Sequence, residues 1–198
     1  LKHPHRDSYW KHGSVCEAFL NIKVPVLCVG GWNDAYSNAI PRLMKNLRVP
    51  RKAIIGPWAH KYPHFAVPNP NIGFLQEMLR WWDFHIKGIN TGVTDDPDYR
   101  VYIMDAYKPG SFPDEIKGRW VPESYWGFGN IETKTWSLSS KGISAEAGKE
   151  ESLTLTSPQN IGFDGGEYCI IWLGEEFPDN QMRDDQGSIT FDSPELTE

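Results

Sequence analysis

Apolar and polar positions along the chain fall into two textures. From Lys23 to Gly31 the residues are nearly all apolar and close on Gly30-Gly31, the run expected of a strand covered on both faces in a parallel sheet. Between Ala39 and Leu47, Ile40, Leu43, Met44 and Leu47 recur at helical spacing, which predicts an amphipathic helix. A second apolar run, Lys52 to Gly56, follows Val49-Pro50 and is broken by Pro57. Strand, helix and strand in this compass predict a right-handed βαβ unit with both strands ending at one sheet edge. Open α/β sheets hold their ligands at that edge. His60 to Asn71 contains Pro63, Pro68 and Pro70 and reads as a loop. Gly73 to Lys87 reads as a helix, with Leu75, Met78, Leu79, Trp82 and Ile86 on its buried face and Gly88 as its C-terminal cap.

Beyond Gly88 the texture changes. Ile89 to Pro97 is polar and rich in turn residues, a linker pattern. Short β-like runs follow at Tyr99–Met104, Thr133–Leu138, Ser152–Leu155, Tyr168–Trp172 and Ser188–Phe191, punctuated by Gly and Pro. Runs of this kind predict a β-sandwich or jelly roll. The fold expected is therefore α/β plus all-β. Residues 1–92 read as the C-terminal part of an α/β domain and 93–198 as the start of a β-sandwich, both incomplete. The chain begins with Leu1 and stops at Ser193-Pro194-Glu195-Leu196-Thr197-Glu198, so a piece of a longer protein is expected, and exposed apolar surface is expected to favour association with copies of itself.

Composition narrows the function classes. The 198 residues include 20 Lys plus Arg against 26 Asp plus Glu, a net charge of −6. A mildly acidic chain without a basic cluster argues against nucleic acid or an anionic membrane as partner. No apolar run approaches the ~20 residues of a bilayer span. The three cysteines (Cys16, Cys28, Cys169) are widely spaced and form no C-x-x-C pair. They suggest neither a disulfide framework nor a cysteine zinc site, and a reducing, cytoplasmic location is expected. Cys28, inside an apolar run, reads as a buried small hydrophobe.

The candidate chemistry lies at the sheet edge. Asp34 follows the first strand in Gly-Gly-Trp-Asn-Asp-Ala-Tyr, and His60 follows the second in Gly-Pro-Trp-Ala-His, 26 residues later. An acid and a histidine brought together there can act as a pair: the carboxylate holds the imidazole's tautomer while the imidazole takes a proton from a nucleophile. The order acid then histidine on successive strands is that of the α/β-hydrolase triad, whose serine sits on a G-x-S-x-G elbow. That motif does not occur in these 198 residues, so the serine is expected upstream of Leu1.

Gly30-Gly31-Trp32-Asn33-Asp34, Gly56-Pro57-Trp58-Ala59-His60 and Trp81-Trp82-Asp83 resemble the acyl esterases related to cocaine esterase and X-Pro dipeptidyl-peptidase, the CocE/NonD hydrolases. Asp179-Asn180-Gln181-Met182-Arg183-Asp184-Asp185 and Ser188 to Pro194 resemble that family's C-terminal galactose-binding-like jelly roll. The resemblance implies a serine hydrolase cleaving acyl esters or X-Pro amides, with Asp34 as triad acid and His60 as general base. It implies no cofactor and a small-molecule or peptide substrate, with the nucleophile and oxyanion donors in an N-terminal portion outside this chain. Trp32 and Trp58 are candidates for substrate contact, although aromatics beside tight turns more often pack in the core. The alternative is a carbohydrate- or partner-binding β-sandwich with a non-catalytic α/β support, for which the Asp34/His60 pair has no use.

Other candidates are weaker. His64 rivals His60 as base but lies further into the proline-rich loop, at a packing or solvent-facing position. His3, His5, Asp7 and His12 are ligand-type residues, yet they sit at a terminus, and no metal is expected there. Ser14 in His12-Gly13-Ser14-Val15-Cys16 lacks a second glycine and a preceding strand. The acidic stretch Asp179 to Asp185 does not keep EF-hand spacing and reads as a polar loop.

Overall fold

A computed structural model describes residues 2–124, 132–167, 176–193 and 195. They fall into two compact units, one of residues 2–107 and 113–124 and one of the remaining described residues.

The first unit holds a four-stranded sheet, β1 (Val26–Gly31), β2 (Arg51–Gly56), β3 (Tyr99–Met104) and β4 (Gly118–Glu123), in that order. Before it come a short helix, α1 (Ser8–His12), and a 3₁₀ turn. β1 and β2 run parallel in the register Val26↔Arg51 to Gly31↔Gly56, connected by α2 (Ala39–Asn46). Pro41 is tolerated in the first turn of α2, where its missing N–H has no partner to lose. Ile40 and Met44 of α2 pack with Cys28, Ala53, Ile55, Tyr99 and Val101 as the core on one side of the sheet. Burial pushes the Cys28 thiol up to about 11, as suits a small apolar core residue.

α3 (Phe74–Lys87) ends where Gly88 turns left-handed at φ 69°, its N–H capping Phe84 O. The face it buries differs from the one its periodicity suggested. Phe74 and Trp81 are buried, whereas Leu75, Leu79, Trp82 and Ile86 are exposed. The helix is apolar on two sides, and the described residues cover only one of them.

Ile89 to Pro97 is not the break between units. It is the crossover from α3 to β3, and β3 pairs parallel with β2, so the α/β unit continues past residue 92. The polar residues of this stretch are anchored to distant elements. Arg80 of α3 pairs with Asp96 at 3.1 Å, and Lys52 of β2 donates to Thr94 O at 3.5 Å and pairs with Asp98, just beyond the stretch, at 3.2 Å. β4 then returns antiparallel to β3, from Met104↔Gly118 to Tyr99↔Glu123.

Arg100 on β3 locks α3 to the sheet by donating to both Glu77 oxygens, at 2.8 and 2.7 Å. This fork is the main cause that holds the Glu77 carboxyl below its ordinary value of 4.5. A group depressed on folding stabilises the fold above its unfolded pKa, and that stability is lost as pH falls through the folded value. Glu77→Gln is therefore expected to cost about 1–3 kcal/mol at pH 7, with the gap from wild type closing below pH 4.5. Urea unfolding of both proteins at pH 7 and pH 3.5 checks it, and a gap independent of pH would remove the ion pair from the account.

In the second unit the described residues form one hairpin, β5 (Ser137–Ser139) with β6 (Gly142–Ser144), a 3₁₀ turn (Phe163–Gly165) and a short helix, α4 (Met182–Asp185). The strands expected at 152–155 and 188–191 are irregular, and that expected at 133–138 shrinks to 137–139. Leu153 and Leu155 are exposed, and a strand with no facing sheet gains nothing from its alternation. The run expected at 168–172 lies outside the described residues. Within the acidic stretch, Asp184 is buried and accepts from the Gly162 N–H at 2.9 Å, so that segment is a helix-bearing packing element and not simply a polar loop.

Candidate active site

Two loops leave the C-terminal ends of β1 and β2, and their backbones are stitched together. Trp32 N–H donates to Gly56 O at 2.9 Å and Asn33 N–H to Trp58 O at 3.1 Å. The Asn33 side-chain amide donates to Pro57 O at 2.5 Å. Gly31 permits this approach, since a Cβ on it would stand 1.8 Å from Trp58 O. Gly56 serves similarly, because the Trp58 ring folds over it.

Stitched in this way, the loops deliver Asp34 to His60, with His60 Nδ1 donating to Asp34 Oδ2 at 2.8 Å. The Asp34 side chain is 11% exposed and that of His60 is 44% exposed, an arrangement of sheltered acid and accessible imidazole. The other carboxylate oxygen, Oδ1, accepts from the Tyr36 N–H at 2.8 Å. Because a carboxylate can only accept, Nδ1 carries the ring proton and a neutral His60 keeps Nε2 as its basic nitrogen. A cavity of about 270 Å³ opens beside the pair, with Val29, Gly30, Ala59, Tyr62 and Phe74 in its walls.

Trp32 and Trp58 are placed elsewhere. Neither lines this cavity. Trp32 donates its indole N–H to Tyr102 O at 2.7 Å and packs on the core. Trp58 is buried with Ile54 and Ala66 and donates to Pro70 O at 2.9 Å. Both indoles pack beneath the loops that carry Asp34 and His60. The cavity residues Tyr62 and Phe74 went unread in the sequence, although Tyr62 stands two places after His60. His64 is exposed and stacks on Phe74 at 6.1 Å, a packing position.

Near the N-terminus, Asp7 Oδ1 accepts from the Tyr9 N–H and caps α1, while Oδ2 accepts from His3 Nδ1 at 2.7 Å. Among the described residues no group of three His, Cys, Asp or Glu side chains is arranged to hold a metal. None of the described helices is long and apolar enough to cross a membrane.

Comparison with known proteins adds to this geometry. Residues 1–62, which contain both Asp34 and His60, match the family model described as X-Pro dipeptidyl-peptidase (S15 family). The chain is also similar to proteins named as serine esterases in Mycobacterium bovis (Mb1866c) and Mycobacterium tuberculosis (MT1883). Each is 25% identical over 130 residues, which is 62% of this chain and 18% of the relative. The chain thus spans about one fifth of the length of these curated relatives. Two crystal structures of a CocE/NonD family hydrolase from Staphylococcus aureus, SACOL2612, share the fold with TM-scores of 0.52 and 0.50. They are 19% and 14% identical, and each match covers 73% of this chain and 24% of the other. The mixed α/β sheet of the first unit is the fold these neighbours share.

Proposed function

We propose that this chain supplies the acid and the base of a serine hydrolase that cleaves acyl esters or X-Pro amides, and that the nucleophile lies in sequence outside it. The observation that carries the reading is the 2.8 Å contact between Asp34 and His60 at one sheet edge. It is supported by the S15 match over residues 1–62 and by the absence of a G-x-S-x-G motif from the chain.

In this reading His60 Nε2 removes the proton from a serine hydroxyl as its oxygen bonds to the substrate's acyl carbon. The tetrahedral intermediate collapses, the bond to the leaving oxygen or nitrogen breaks, and the proton on Nε2 passes to that atom. Water then attacks the acyl-enzyme, giving its proton to Nε2; the bond from the acyl carbon to the serine oxygen breaks, the acid product leaves, and Nε2 returns the proton to that oxygen. Asp34 holds Nδ1–H throughout and stabilises the imidazolium of each step. The second unit, with its β5–β6 hairpin, is the start of a jelly roll in the same reading.

The purified 198-residue chain is expected to leave p-nitrophenyl acetate unhydrolysed, whereas the longer parent protein cleaves an ester or an X-Pro anilide and is silenced by a serine-directed phosphonate. Turnover by the chain alone, abolished by that reagent, would place the nucleophile inside these residues. A parent inert toward both substrate classes would end the hydrolase reading.

A further inference from the structure

Nδ1 of His60 has one polar tether, and a single hydrogen bond leaves an imidazole free to swing about the Nδ1···O axis. The ring is also 44% exposed on its side chain, so packing on all sides does not hold it. A second contact on the ring itself is needed to fix where Nε2 faces. Tyr36 provides one. Its ring meets the imidazole edge to face, with centroids 5.4 Å apart and planes at 63°, the geometry that aromatic quadrupoles favour.

The backbone shows that this placement is built in. Asp34 Oδ1 accepts from the Tyr36 N–H at 2.8 Å, an Asx turn. Ser37 N–H donates to Asp34 O at 3.0 Å, and Tyr36 O accepts from Ala39 N–H at 2.8 Å as α2 begins. Tyr36 is therefore held at its N–H by the carboxylate that holds the histidine, and at its carbonyl by the first turn of α2. Its side chain does not serve the core, since Tyr36 is 58% exposed. A large aromatic residue that buries so little of itself, yet abuts the imidazole, gains its meaning from that contact.

We propose that Tyr36 is a positioning residue for His60: its ring fixes the plane of the imidazole while its N–H fixes the carboxylate. The proposal rests on the reading of Asp34 and His60 as acid and base. The ring matters and the hydroxyl does not, so the conservative and the ring-deleting variants must separate.

The test uses the parent enzyme with p-nitrophenyl acetate. Tyr36→Phe is expected to keep kcat within about twofold, and Tyr36→Leu to lose roughly tenfold in kcat with KM nearly unchanged. Should the Leu variant fail to fold, Tyr36→Met gives the same comparison with a flexible side chain and no ring. Full activity in the ringless variants would overturn the proposal. So would a Phe variant as impaired as the Leu variant, which assigns the role to the hydroxyl, or a rise in KM at constant kcat, which makes Tyr36 a substrate contact. Asp34→Asn and His60→Ala, assayed alongside, keep the two claims apart. If these remain fully active, the acid and base assignment fails; if they are inactive while Tyr36→Leu is not, only the positioning claim fails.

Discussion

Asp34→Asn in the parent enzyme is expected to lower kcat by about 10⁴ while leaving the fold intact. Asn has the shape of Asp, and its carbonyl oxygen can still accept from the Tyr36 N–H that now reaches Oδ1 at 2.8 Å. The turn that carries the residue is therefore preserved. The amide nitrogen then falls where Oδ2 meets His60 Nδ1 at 2.8 Å, and an amide there donates. Nδ1 must accept, the ring proton moves to Nε2, and the nitrogen that should take the serine proton is already occupied. The measurement is kcat together with the melting temperature. A loss below tenfold at unchanged stability would return Asp34 to the ordinary role of a turn residue, whose carboxylate does no more than cap the Tyr36 N–H.

The parts of this molecule that were legible in the sequence are those governed by local pattern. β1, β2, α2 and α3 stand close to where apolar runs and helical spacing put them, because burial on a sheet or under a helix repeats along the chain. Asp34 and His60 were legible for a related reason: each follows a parallel strand, and parallel strands end at one edge. The misread parts depend on partners far away in sequence. Ile89 to Pro97 has the composition of a linker, and what makes it a crossover is the parallel pairing of β3 with β2, with Asp96 held by Arg80 and Thr94 O by Lys52. The packing of Trp32 and Trp58 likewise rests on contacts that the local pattern does not display. Their acceptors, Tyr102 O and Pro70 O, lie 70 and 12 residues on, and those bonds draw the indoles into the packing. On α3 the periodicity pointed to one face, from Leu75 to Ile86, while Phe74 and Trp81 are the residues buried, and nothing local decides which side meets the sheet.

Gly31→Ala tests whether the stitched loops are what makes the site. A Cβ at this position would lie 1.8 Å from Trp58 O and 2.6 Å from Trp58 C. Both are backbone atoms, so relief requires the two loops to part by more than about 1 Å, since carbon contacts settle near 3.5 Å. Parting them strains three bonds at once: Trp32 N–H to Gly56 O, Asn33 N–H to Trp58 O, and the Asn33 amide to Pro57 O. The expected cost is about 3 kcal/mol or more, and activity in the parent should fall with it, because Asp34 and His60 ride on the separating loops. Gly30→Ala is the control. Its Cβ would meet the Ile40 side chain, at 3.0 Å from Cγ1 and 3.3 Å from Cδ1, and a side chain can turn aside for roughly 1 kcal/mol. Urea unfolding of the two variants separates a backbone clash from a side-chain one. Equal stabilities would mean that the contact between the loops is slack, and that Asp34 and His60 are held together by their own hydrogen bond and the turns beneath it, not by the glycine that lets the strands' ends meet.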